Sequence, residues 1–312
     1  MAIHRFVPSV FHNVLGGRAP VLSIASGDIV ETETVDAHGQ DSQELVRAEG
    51  PNPLTGPFEV RGAVPGDCLS IRLLSIEPNR ERCWTRPLLA PNVLDQGAES
   101  FPELARSPSV TDVELWTIDP AAGTVSPIGL PDGAVPIEVA LAPMLGCLGC
   151  APPGGQAIST ATSGEYGGNM DWNGARAGMT LLFPVFMPGA MFALGDGHAT
   201  QSDGEICGTG TEVSMRVRFA VELIKGKSIA WPHAEDNDHL YTIGNARPLE
   251  DALRHATTEM AEWLSSDWGL SARHIGLLLG QTARYEVANI FDPAYTIVCR
   301  LSKRHLDGAH RA

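Results

Sequence analysis

No run of about eighteen apolar residues occurs anywhere in the 312-residue chain, so a membrane-spanning helix is not expected. The opening segment MAIHRFVPSVFHNVLGG lacks the continuous apolar core of a secretory signal, and a cytoplasmic location is the expectation that follows. In that compartment a disulfide framework is not expected, so the six cysteines read as thiols. Positive charge is scarce: 22 basic against 37 acidic side chains leave a formal net charge of −15. Such a surface repels phosphate backbones and argues against nucleic acid as a partner, while permitting a carboxylate-rich cation site. Long helical runs are few. What is abundant is glycine (33) and proline (23), the residues that join many short strands by turns. With 43% hydrophobic residues, the composition is that of an ordinary globular protein.

Residues 20–35, PVLSIASGDIVETETV, alternate apolar and polar positions around a Ser-Gly-Asp turn, the period-2 pattern of a hairpin. Residues 57–78, PFEVRGAVPGDCLSIRLLSIEP, repeat that design around Pro65-Gly66-Asp67. Residues 79–135 are less regular, and the Gly- and Pro-rich stretch 149–171 is too long for a simple connector, reading as a binding loop or disorder. MTLLFPVFMPGAMFALGD and EVSMRVRFAVELI then read as core strands. Only the last quarter has helical spacing. Pro248 suits a first turn, Leu249, Leu253, Ala256, Met260 and Trp263 recur at helical intervals, Ser271 can cap a second helix, and AYTIVCRLS closes as a strand. The expected fold class is β-rich α+β. An antiparallel β-sandwich or barrel-like part spans 1–230, a mixed α/β, helix-containing part spans 231–312, and the two form one compact unit.

The densest set of potential ligands is Gly195-Asp196-Gly197-His198-Ala199-Thr200-Gln201-Ser202-Asp203-Gly204-Glu205. On an extended backbone Asp196 and His198 project to the same face, and Asp203 and Glu205 repeat that spacing on the returning arm. A turn at Thr200–Ser202 would let the pairs converge; a solvated Gly/Asp turn is the plainer alternative. An imidazole with several carboxylates suits Zn2+, whereas an oxygen-only subset suits Ca2+. Asp36 and His38 have the same spacing and would complete such a site. In Glu165-Tyr166-Gly167-Gly168-Asn169-Met170-Asp171 the two glycines allow close backbone approach, and their N–H groups would face an oxyanion. Asn169 and Asp171 would orient a small polar substrate. Cys147-Leu148-Gly149-Cys150 has no second CxxC to complete a four-thiolate site, so it reads as packing. His233 and His239, in WPHAEDNDH, read as a polar connection.

Taken together, PVLSIASGDIVETETVDAHGQ, TGPFEVRGAVPGD, GGNMD, LLFPVFMPGAMFALGDGHATQSDGEICGTGTE and RPLEDAL resemble the acetamidase/formamidase family over nearly the whole chain. The resemblance implies hydrolysis of small linear amides to a carboxylate and ammonia, a bound divalent metal and a homo-oligomer, with a dimer as the first expectation. Position by position it marks Asp36, Asp171, Asp196, His198, Asp203, Glu205 and Glu212. Departures are GCLGCAP, whose cysteines stand where the family places Val, Arg284 where it tends to carry an acid, and His38 and Trp172. The expectation is therefore a metal held among Asp36, His38, Asp196, His198 and Asp203. Glu205, Glu212 and Asp171 would be the catalytic acids, and Gly167, Gly168 and Asn169 would contact substrate. Two rivals stand beside it: a thiol amidase using Cys207 or Cys150, and a non-catalytic β protein that binds a metal or small molecule.

Overall fold

The computed structural model describes residues 1–95, 112–306 and 308; residues 96–111 of the irregular stretch lie outside that description. Two large sheets carry the architecture. One is nine-stranded among the described residues, running Ile3–Arg5, Ile29–Glu33, Met215–Ile224, Cys68–Pro78, Thr180–Pro184, His233–Glu235, His239–Ala246, Tyr295–Ser302 and Arg284–Asn289. The other is six-stranded: Ser163–Gly164, Gly167–Asn169, Met144–Gly149, Phe192–His198, Leu54–Val60 and Leu22–Ile24. Pairing is antiparallel except between Ile3–Arg5 and Ile29–Glu33 and between Leu22–Ile24 and Leu54–Val60. Strands beyond residue 230 complete a sheet begun before residue 80. The chain is β-rich α+β.

The two expected hairpins are not hairpins. Leu22–Ile24 pairs with Leu54–Val60 in one sheet, whereas Ile29–Glu33 pairs with Met215–Ile224 in the other. Likewise Leu54–Val60 pairs with Phe192–His198, whereas Cys68–Pro78 pairs with Thr180–Pro184 and Met215–Ile224. Each turn carries the chain across the sandwich. Its polar groups bind the strands it passes: Gly27 N donates to the Val221 carbonyl at 2.7 Å and Gly66 N to the Val185 carbonyl at 3.1 Å. Asp28 accepts the Ala25 and Ala2 amides, and Asp67 accepts those of Val64 and Gly226. Period-2 alternation records which face is buried, not which strand lies alongside.

Ile24, Val30, Phe58, Val60, Leu69, Ile71 and Leu73 are all buried in one core. Phe219 meets Phe58 and Phe192 at ring-centroid distances of 5.6 and 5.5 Å, edge-on as aromatic quadrupoles prefer. A second core forms where helix α1 (Leu249–Trp268) lies on the sheet, with Ala256, Met260, Trp263 and Leu264 packed among Leu240, Ile297 and Leu301. Gly244 permits this close approach, since a Cβ there would collide with the Ala252 carbonyl. Helix α2 (Ala272–Thr282) starts at Ser271, whose hydroxyl accepts the His274 amide at 3.3 Å. Among the described residues no helix is long and apolar enough to cross a membrane.

Candidate metal centre and substrate cavity

The middle of the six-stranded sheet sets up the site. Met144–Gly149 lies between Phe192–His198 and Gly167–Asn169, so that Cys147 faces Gly195 on one side and Asn169 on the other. The chain leaving Gly167–Asn169 delivers Asp171, and the end of Phe192–His198 delivers Asp196 and His198. Gly146 is the floor beneath them. A Cβ there would strike Asp171 Oδ1 and stand 2.7 Å from Asp196 Oδ2 and 3.1 Å from His198 Cε1. Gly210 plays the same part against the face of the His198 ring. Asp171, Asp196 and Glu205 hold positive φ values of 43°, 58° and 45°. Such backbone in non-glycine residues costs about 1–3 kcal/mol each and persists where surroundings over-determine it, as at functional sites.

The hydrogen bonds of His198 fix its chemistry. Its Nδ1 lies 2.8 Å from Gln201 Oε1, while Gln201 Nε2 donates to the Asp171 carbonyl at 2.5 Å. The amide is thereby oriented with its acceptor toward the ring, so Nδ1 carries the proton. That leaves Nε2 turned toward Glu212 Oε1 at 3.0 Å and Asp196 Oδ1 at 3.6 Å, without the alignment of a hydrogen bond. Asp171 Oδ1, Asp196 Oδ1, His198 Nε2 and Glu212 Oε2 are all buried and lack a hydrogen-bond partner. Unpartnered buried polar atoms cost roughly 1–3 kcal/mol each, more when charged, and atoms of these types are ones a cation could satisfy. Three overlapping sets each place ligand atoms within 4.8 Å of one another: Asp171, Asp196 and His198; His198, Glu205 and Glu212; Asp171, Glu205 and Asp292. One imidazole among carboxylates fits zinc or a similar borderline divalent ion better than calcium.

Burial, reinforced by neighbouring acids, pushes the carboxyls of Asp171 and Glu205 well above their ordinary range. Burial also raises Asp292, against hydrogen bonds that favour its charged form. Burial lifts Glu212 to about 7, with His198 opposing and Asp196 adding to the rise. For His198 burial works against the imidazolium, yet Glu212 and Asp196 carry its pKa well upward. So many adjoining buried acids cannot all ionise without positive charge among them.

Several residues chosen from sequence fall elsewhere. Asp36 is saturated: Oδ1 accepts the His38 and Gln40 amides at 3.0 and 2.8 Å, and Oδ2 accepts Arg80 at 2.5 Å and Trp84 Nε1 at 3.0 Å. His38 stacks on Trp84 at 3.9 Å, on the cavity wall and outside the cluster. Asp203 is exposed and accepts Asn173 at 2.9 Å. In these places the backbone is not extended, because Asp36 opens a turn onto its own amides and Asp203–Glu205 is a 3-10 turn containing Gly204 at φ 83°. The i, i+2 rule for a shared face then fails. Gly167 and Gly168, with the N–H groups expected at an oxyanion, are buried strand residues, and the Asn169, Met170 and Asp171 amides that follow donate to the Thr162 and Gly146 carbonyls.

The thiols are poorly placed. Cys150 is fully buried, and burial drives its pKa far upward. Cys207 donates to the Thr209 carbonyl at 3.1 Å, with the Thr85 and Thr209 hydroxyls each 3.7 Å away. His233, far from lying in a polar connection, is buried in a strand, bonded to Glu259 at 2.8 Å and stacked on Trp263.

Sequence reasoning missed Asp292 and Asn289. Asn289 Nδ2 lies 2.6 Å from Asp171 Oδ2, 2.9 Å from Glu205 Oε2 and 2.8 Å from Asp292 Oδ2, tying three acids to one amide. Asn169 Nδ2 donates to Asp292 at 2.6 Å. The segment ANIFDP offered only an acid before a proline, a common turn, as its signal.

Beside the cluster lies a cavity of about 530 Å³. Asp196, Glu205, Glu212 and Asp292 line it, together with Trp84, Arg86 and Phe291.

The acetamidase/formamidase family model matches residues 152–292. The chain is 30% identical to the crystal structure of an acetamidase from Yersinia enterocolitica, covering 97% of this chain and 93% of that one with a TM-score of 0.81. An acetamidase from Bacillus halodurans is 29% identical, with 98% and 99% covered and a TM-score of 0.81. An acetamidase of Mycolicibacterium smegmatis is 29% identical over 219 residues, 55% of this chain and 53% of that protein. The chain thus spans between about half and two thirds of the length of the curated relatives it matches.

Proposed function

The chain belongs to the acetamidase/formamidase family, and from that premise we propose that it hydrolyses the C–N bond of linear amides with a divalent cation, zinc first, held by Asp171, Asp196 and His198. The observation that carries this reading is the convergence of Asp171, Asp196 and His198, with ligand atoms within 4.8 Å of one another, each with a buried atom that lacks a hydrogen-bond partner, as has Glu212 beside His198. When bound, such a cation supplies Lewis acidity toward a carbonyl oxygen and makes water a stronger acid near neutral pH.

The chain's own groups do the rest. Glu212 is anchored through Oε1 by the Gly210 amide at 3.0 Å, while Oε2 is left free and Glu212 lines the cavity. It accepts a proton from the attacking water as the new C–O bond forms at the amide carbon. It then returns that proton to nitrogen as the C–N bond breaks, leaving a carboxylic acid and ammonia, which exchange a proton to give carboxylate and ammonium. Gln201 holds the His198 ring and the Asp171 backbone together, and Asn289 holds the carboxylates of Asp171, Glu205 and Asp292. These positioning contacts keep the ligand atoms converged in a dry site, where electrostatic interactions are strong.

The test is ammonia release over a panel of short amides, using metal-stripped and metal-restored enzyme. Stripping should lower turnover at least a hundredfold and zinc should restore it, while alkylation of Cys207 leaves turnover intact. Turnover indifferent to chelation but abolished by alkylation would replace this mechanism with thiol chemistry. Tight zinc binding with no ammonia from any amide would make the chain a binding protein.

A further inference from the structure

The cavity is larger than a formamide- or acetamide-sized substrate needs. Acetamide displaces roughly three or four waters, about 100 Å³ at about 30 Å³ each, against a cavity of about 530 Å³. Its charge is also uneven. Four acids stand at the cluster, and a guanidinium, Arg86, stands on the wall.

Arg86 differs from its neighbours along the chain. Arg80 is paired with Asp36 at 2.5 Å and Arg82 with Glu44 at 2.5 Å. No carboxylate among the described residues lies within ion-pair distance of Arg86, and its Nε is buried without a hydrogen-bond partner. In a chain with a net charge of −15, a cation left without an ion-pair partner among the described residues beside a cavity is a placed feature rather than a shortage of partners. The field of Arg86 reaches across the wall: His38 is held below its usual pKa, by burial first and by Arg86 in addition, against the pull of Asp36. The backbone around Arg86 is fixed. Its amide donates to Thr209 Oγ1 at 3.1 Å, and that hydroxyl also meets Thr85 Oγ1 at 2.9 Å. Gly210, the next residue, anchors Glu212, so the guanidinium and the proposed base are referenced to one short segment. Trp84 and Arg86 both line the cavity, and Trp84 pairs with Glu212 through its backbone.

We propose that the preferred substrates are linear amides carrying a carboxylate at the far end of a short carbon chain. The amide lies at the acidic cluster, the chain runs along Trp84 and Phe291, and the carboxylate pairs with Arg86. This rests on the amidase reading above. A guanidinium matches a carboxylate with parallel N–H donors, and its buried Nε–H gains the acceptor it lacks. Hydrolysis then converts the monoanion and water into a dicarboxylate and ammonium, the amide proton balance being as for any linear amide.

The experiment compares kcat/KM for succinamate with that for pentanamide, a neutral chain of similar length, in zinc-loaded wild type, Arg86→Gln and Arg86→Lys. Wild type should favour succinamate at least tenfold, as a charge-assisted bond formed with substrate predicts. The preference should collapse toward one in Arg86→Gln and survive in part in Arg86→Lys, which keeps the charge and controls for misfolding. A wild-type ratio near one, or a ratio unchanged in Arg86→Gln, would overturn the proposal while leaving amide hydrolysis in place. Should no amide release ammonia, the amidase reading fails, and calorimetry with succinate decides separately. Succinate binding to wild type but not to Arg86→Gln supports an anion subsite, and no binding to either overturns it.

Discussion

Replacing Glu212 with glutamine should lower kcat by about two to four orders of magnitude, the usual worth of a positioned general base, while zinc stays bound. The substitution keeps the size of the side chain and an oxygen for the Gly210 amide, and removes only the ability to take and return a proton. KM should change little, because proton transfer is realised in the transition state and not in substrate binding. The pH profile gives a second reading. Burial, with His198 opposing and Asp196 adding to the rise, sets Glu212 at about 7, and a bound cation, by favouring the charged carboxylate, moves it lower. A base works deprotonated, so wild-type kcat should fall on the acid side with an apparent pKa below 7, and that limb should be absent from the residual activity of Glu212→Gln.

The second large effect requires no change to any ligand. Gly146→Ala places a methyl group against Asp171 Oδ1 and Asp196 Oδ2 at separations that real Cβ atoms do not adopt, and 3.1 Å from the edge of His198. The carboxylates must part, and the converged donor set is lost. We expect zinc affinity to fall at least a hundredfold, beyond the 10–100-fold typical of disturbing a ligand's support, and amide turnover to fall with it. Gly276→Ala is the control. That glycine sits exposed in α2 with open space around it, and alanine there should stabilise slightly, by about 0.4–1 kcal/mol. Isothermal titration with zinc, alongside thermal melting, separates loss of the site from loss of the fold.

Part of this site is legible in the residues themselves. Asp196, His198 and Glu205 announce themselves as a dense polar loop after an apolar strand, and GGNMD marks Asp171 by its unusual paired glycines. Glu212 comes only with the family resemblance, since nothing in GTGTE separates it from a surface acid. Asp292 and Asn289 are illegible for a different reason. Asn289 ends a strand near the far end of the chain and Asp292 sits in the bend after it, and only the antiparallel register of Arg284–Asn289 on Tyr295–Ser302 brings them to the cluster. Asp36, His38 and Asp203 lie outside the cluster for the opposite reason: the shared-face spacing holds on extended chain, and these residues sit in turns. The β-rich class followed from alternation and the C-terminal helices from apolar periodicity and the Ser271 cap. The sandwich-crossing turns did not, because alternation is the same whether the next strand lies beside its predecessor or across the core. Gly146 and Arg86 could be found only in three dimensions: one matters for what it lacks, the other for a carboxylate partner absent among the described residues.

The central claim is that Asp171, Asp196 and His198 gather around one cation. X-ray absorption at the zinc edge of zinc-loaded enzyme tests it directly. The account predicts nitrogen and oxygen ligands at about 2.0–2.2 Å with an imidazole signature that disappears in His198→Ala. Zinc lost on simple desalting, or a sulfur shell at about 2.3 Å from one of the buried cysteines, would contradict it.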